Sequence, residues 1–156
     1  MRIAYLMPSL FGVVLLGSFL SGLLQRPNPF IDRKVAEQQV LGPDWIEVKL
    51  EQPLKPVGDY QEIGLTLAPP LELDILGPLG VRISNGSLVL PEVELLTPDG
   101  VTMPTRCSGS RGKTTLTYRL KDQSIKQEYN RIRIRADQEV RLSAVYWTGI
   151  VIKNMP

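Results

Sequence analysis

Trp45-Ile46-Glu47-Val48-Lys49-Leu50-Glu51 alternates apolar and charged side chains at every step from Ile46 to Glu51. Side chains two apart share one face of an extended strand, so Ile46, Val48 and Leu50 are expected against a core and Glu47, Lys49 and Glu51 toward water. The same reading extends downstream to Tyr60–Leu67, Leu71–Leu76, Leu88–Leu96, Val101–Cys107, Lys113–Leu120, Arg131–Arg135 and Val140–Ile152. Asn85-Gly86 suits a two-residue hairpin that needs positive φ, and Pro98-Asp99-Gly100 suits a tight turn between paired strands. No helical pattern of useful length separates these strands, which argues against a parallel α/β sheet. The expected fold class is therefore mainly β, an antiparallel β-sandwich of jelly-roll-like kind over residues 45–156, with a β-barrel as the alternative. One helical turn is expected in Asp122–Glu128.

Upstream, residues 26–44 read as a linker. Ile31–Leu41 is expected to form a short helix in it, with Asp32 as N-cap and Gly42-Pro43 as the stop. Before that linker, Ile3–Leu24 contains no charged residue and is bounded by Arg2 and Arg26. A bilayer core needs roughly 20 apolar residues of helix, so residues 1–25 are expected to form a single transmembrane anchor. No pair of small residues stands at the spacing a signal-peptide cleavage site requires, which favours an uncleaved signal-anchor. Gly17, Ser18, Ser21 and Gly22 bring small residues four apart, a spacing compatible with homo-oligomer formation through the helix. Arg26, Arg33 and Lys34 outnumber Arg2 and favour a cytoplasmic C-terminal domain. A long domain after a short N-terminal anchor often crosses regardless of charge, and the expected placement is extracytoplasmic, on the plasma (inner) membrane.

Composition removes several chemistries. With no histidine in the chain, Ser-His-Asp and Cys-His catalysis and histidine metal sites are excluded, and one cysteine, Cys107, can make no disulfide within it. Gly109-Ser110-Arg111-Gly112-Lys113-Thr114 lacks the first glycine of a phosphate-binding P-loop, since Cys107 stands there, and reads as a basic hairpin loop. Ser/Lys hydrolysis needs a lysine desolvated beside a serine. Lys113 is near Ser108 and Ser110 in sequence, but nothing marks that pair out from Ser84, Ser87, Ser124 or Ser143. Glu72, Glu92, Glu94 and Asp99 are available as paired carboxylates without any specific spacing. No cofactor or metal is expected, and no enzyme.

Charge is divided along the chain. Glu37–Asp99 holds three basic and eleven acidic residues, and Val101–Pro156 eleven basic and four acidic. Within the basic half, Asn130-Arg131-Ile132-Arg133-Ile134-Arg135 sends Ile132 and Ile134 inward and gathers Arg131, Arg133 and Arg135 on the opposite face, with Arg141 expected beside them on the next strand. Guanidinium groups so arranged suit carboxylate, phosphate or sulfate, and Trp147, with Tyr129 and Tyr146, could add a stacking surface. The competing expectation is a solvated strand whose arginines pair with neighbouring carboxylates. These residues yield a membrane-anchored, non-enzymatic binding module for a partner protein, glycan or anionic polymer, nucleic acid being disfavoured. The alternatives are an assembly subunit acting through its helix and a membrane-bound hydrolase.

Overall fold

The computed structural model describes residues 30–55, 60–74, 79–83, 85–120 and 127–150. The run Ile3–Leu24 and most of Asp122–Glu128 lie outside these residues. Among them no helix is long and apolar enough to cross a membrane.

The chain folds in the order β1 (Phe30–Leu41), β2 (Ile46–Leu54), β3 (Tyr60–Leu67), β4 (Leu73–Asp74), β5 (Gly80–Arg82), β6 (Leu88–Val89), β7 (Glu92–Leu96), β8 (Thr102–Arg111), β9 (Thr115–Leu120), β10 (Tyr129–Arg135) and β11 (Val140–Ile150). Eight of these strands make one antiparallel sheet in the order β1-β11-β3-β9-β8-β7-β10-β2. The sheet curls until it is nearly barrel-shaped. The mainly β expectation holds, and in place of two facing sheets one curled sheet brings its two edge strands, β1 and β2, toward each other. Strand β8 makes the corner. Its first residues, Thr102–Pro104, pair with β7, and from Thr105 to Arg111 it pairs with β9.

The alternation read from the sequence decides what faces inward. Ile132 pairs with Val48 of β2 and Leu95 of β7, and Ile134 with Ile46 and Val93, which stacks apolar side chains in layers across three strands. On the other wall, Trp147, Ile63 and Tyr118 form one layer and Val145, Leu65 and Leu116 the next. Ile132, Ile134, Leu65 and Leu116 are fully buried, and these layers meet in one hydrophobic core. Short strands β4, β5 and β6 form a second sheet that contributes Leu73, Val81 and Val89 to the same core. Its β5–β6 hairpin turns at Asn85-Gly86 but is not the expected two-residue turn: Gly86 alone of the pair has positive φ, at +83°, and the connection is closed by Ile83, which accepts from the Gly86 N–H and donates to the Ser87 carbonyl. Gly100, at φ +88°, donates its N–H to Thr97 in the β7–β8 turn. Both positions require a residue tolerant of positive φ.

The helix expected over Ile31–Leu41 is instead strand β1, paired along its length with β11. Burial explains the difference. Without β1, the apolar strand β11 would be the edge of the sheet, so pairing outweighs the weak local preference for helix. A bulge between Lys34 and Ala36 shifts the register, so Val35 and Ala36 are both half-buried and the alternation that marks the other strands is broken.

Tyr118 shows how the core is wired. Its hydroxyl donates to the Pro91 carbonyl at 2.6 Å, and burial holds its pKa far above the ordinary tyrosine value, with Cys107 and Glu92 adding to the rise. Folding therefore favours the neutral phenol. Below the unfolded pKa of about 10 this contribution is complete, and above it the unfolded chain releases the proton first, at a cost of up to about 1.4 kcal/mol per pH unit. Denaturant midpoints measured from pH 8 to 11 are expected to fall above pH 10, with a shallower fall in Tyr118→Phe.

Candidate functional site

Arg131, Arg133 and Arg135 occupy one face of β10, outside the barrel, as the alternation requires. The register sets Arg133 between Glu47 of β2 and Glu94 of β7, and Arg135 beside Glu92. Each guanidinium meets a carboxylate: Arg131 with Glu47 at 3.3 Å, Arg133 with Glu94 at 3.8 Å and Arg135 with Glu92 at 3.0 Å. The acidic half of the sequence thus lies against the basic half strand by strand. Because these groups retain contact with water, each pair contributes less than about 1 kcal/mol, and their main effect is to hold the arginines in place.

Trp45 completes this face. It precedes β2 at a position sharing the parity of Glu47 and Lys49, and the guanidinium carbons of Arg133 and Arg135 lie 4.8 and 4.5 Å from its ring centroid. A partly exposed indole flanked by two cations makes a rigid cation–π cluster. Trp45 is absent from the residues that the arginine pattern alone predicts for this face. Parity with Glu47 was the signal that would have placed it there.

The structure separates two residues expected with the arginines. Arg141 is on β11, which lies between β1 and β3, whereas β10 lies between β7 and β2, so the two strands are not neighbours despite their short connection. Arg141 instead pairs with Glu139 at 2.9 Å on the rim of an open groove of about 470 Å³, lined also by Pro69, Pro70, Leu71 and Ile83. Trp147 is in the core, 4% exposed, edge-on to Tyr129 with ring centroids 6.3 Å apart. Its indole N–H donates to the Lys55 carbonyl at 3.2 Å. Leu142 and Val145, an odd three residues apart, both face inward because the alternation shifts at the irregularity between Leu142 and Ala144, and Trp147, two beyond Val145, therefore faces inward too, a shift the sequence alone does not display.

A second polar cluster lies outside β1, β11, β3, β9 and β8. Arg111 reaches back from β8 to donate to Asp32 at 3.2 Å and to Thr148 at 2.5 Å, while the Thr148 hydroxyl donates to Asp32. Its path crosses Gly64, where an added Cβ would stand 3.4 Å from the guanidinium and 3.3 Å from the Thr115 methyl. Beside it, Glu62, with its side chain 5% exposed, accepts from Arg119 at 2.5 Å and from the Ser108 hydroxyl at 3.4 Å. Ser108 is thus directed to Glu62 and to the Thr117 carbonyl, while Lys113 is exposed in the β8–β9 turn. Cys107 has a half-buried thiol whose pKa is raised by burial. No group of three or more metal-ligating side chains is gathered among the described residues.

Comparison with known proteins found no matching family model, no matching curated protein and no matching solved structure.

Proposed function

We propose that the chain is a single-pass membrane-anchored β module that binds a partner protein through the face formed by Trp45, Arg131, Arg133 and Arg135, without catalysing a reaction. The observation that carries this reading is the pairing of three arginines with Glu47, Glu92 and Glu94 around a partly exposed tryptophan. Neutralised guanidinium groups offer little net attraction to a sulfated or phosphorylated polymer. Pre-positioned Arg and Trp side chains on the outer face of the curled sheet match the residue types that dominate protein interfaces.

The apolar run Ile3–Leu24 supports the anchor, and the length of chain after it supports an extracytoplasmic domain at the plasma membrane. The face then stands on the flank of the barrel, accessible to a neighbour in the same membrane. A photo-crosslinking amino acid in place of Glu47, in the full chain in its native membranes, is expected to give one discrete adduct. The same probe at Lys113 is expected to give none. Equal diffuse labelling from both positions would contradict the proposal.

A further inference from the structure

The two free edges of the sheet, β1 and β2, face each other across a slot of about 330 Å³ lined by Arg33, Lys34, Val35, Lys49, Leu50, Glu51 and Gln52. No strand among the described residues fills it. By register Arg33 shares the inward side with Trp147, yet its guanidinium crosses the slot to donate to the Gln52 carbonyl at 3.0 Å and the Pro53 carbonyl at 3.4 Å of β2. An inward charge, the Lys34–Ala36 bulge and Pro53 are each devices that stop an edge from recruiting another strand. The slot is therefore poorly suited to an added peptide strand and carries three cations, Arg33, Lys34 and Lys49, against the carboxylate of Glu51 and that of Glu37, which holds Lys34 Nζ at 2.8 Å in a water-exposed ion pair that a phosphate can replace.

Its position along the chain narrows the occupant. Phe30, where β1 begins, is six steps beyond Leu24, and a trans chain spans at most about 3.6 Å per residue, so the start of β1 lies within about 22 Å of the end of the apolar run. Pairing of Phe30 with Ile150, of Ile150 with Tyr60 and of Leu54 with Tyr129 puts the starts of β1, β3 and β10 and the ends of β2 and β11 at this one end of the barrel. The Arg33 guanidinium, bonded to Gln52 and Pro53, is at that end too. Resting on the reading of Ile3–Leu24 as a membrane anchor, we infer that the β1–β2 slot docks anionic lipid headgroups of the surrounding bilayer, with Arg33, Lys34 and Lys49 as the groups that receive the phosphate. Juxtamembrane cations are drawn to anionic headgroups, and a slot fixed to the tethered end presents them within that zone.

The experiment uses the full chain in lipid nanodiscs, with Cys107→Ser and a fluorophore on Gln52→Cys, and a nitroxide quencher carried on lipid headgroups. Discs of phosphatidylcholine with a minority of phosphatidylglycerol are expected to quench about twofold more than phosphatidylcholine discs. Lys34→Gln with Lys49→Gln should bring the anionic discs down to the neutral level, and Lys34→Arg with Lys49→Arg should restore the difference. Equal quenching in both lipids, or no response to the Gln pair, overturns the inference while leaving the anchor intact. Loss of the chain from the disc on gel filtration overturns the anchor, and with it this inference.

Discussion

Ile132→Ala is expected to destabilise the domain by about 3–4 kcal/mol, and Arg133→Ala, one residue along, by about 1 kcal/mol or less. The contrast follows from parity on β10. Ile132 has no exposure and is packed between Val48 and Leu95, so truncation removes transfer energy and leaves a cavity that three paired strands cannot close. Arg133 loses a partly exposed ion pair with Glu94 and its contact with Trp45, both weakened by water. Since a domain of this size is stable by only about 5–15 kcal/mol, the first variant should shift a urea midpoint far enough to be unmistakable, and the second hardly at all. A midpoint loss for Arg133→Ala equal to that for Ile132→Ala would contradict the register.

Arg119→Ala is expected to cost about 3 kcal/mol, far above an ordinary surface arginine. Glu62 explains the size. Its side chain is 5% exposed and its carboxylate is held by Arg119 at 2.5 Å, so removing the arginine leaves a buried charge whose remaining partner among the described residues is the Ser108 hydroxyl at 3.4 Å. Some relief comes from water, since Arg119 is 38% exposed, which keeps the figure at the low end of the range for broken buried pairs. Adding Glu62→Gln to Arg119→Ala should recover a large part of the loss in the same urea assay, because the charge that lacks a partner is then gone. Failure of Glu62→Gln to recover any stability would show that Arg119 acts through packing alone.

Most strands were legible because one face of each is buried and the other wet. Tyr60–Leu67 was read with the boundaries of β3, and the alternation at Ile132 and Ile134 placed both in the core. Three features were not legible, each for a physical reason. Strand β1 carries a bulge at Val35 that breaks its period, so local sequence resembled a helix. The split of Leu88–Leu96 into β6 and β7 follows from Pro91, whose carbonyl is held by Tyr118, a partner 27 residues away. Arg141 was set beside the arginine face because short connections usually join neighbouring strands. Here the four residues between β10 and β11 cross the end of a curled sheet, with the Ala136 N–H held by the Gly42 carbonyl, so consecutive strands lie apart. Pairing of the acidic and basic halves was foreseeable as a charge balance. Which glutamate meets which arginine depended on register.

The face around Trp45 is tested most directly by the affinity of the protein cross-linked at Glu47, once identified, for wild-type chain and for Trp45→Ala and Arg133→Ser in nanodiscs. A central tryptophan at a protein interface is worth about 2 kcal/mol or more, so Trp45→Ala should weaken binding by about 30-fold or more, and Arg133→Ser should weaken it in the same direction. Unchanged affinity in both variants, with urea midpoints showing each still folded, would contradict the assignment of this face as the binding surface.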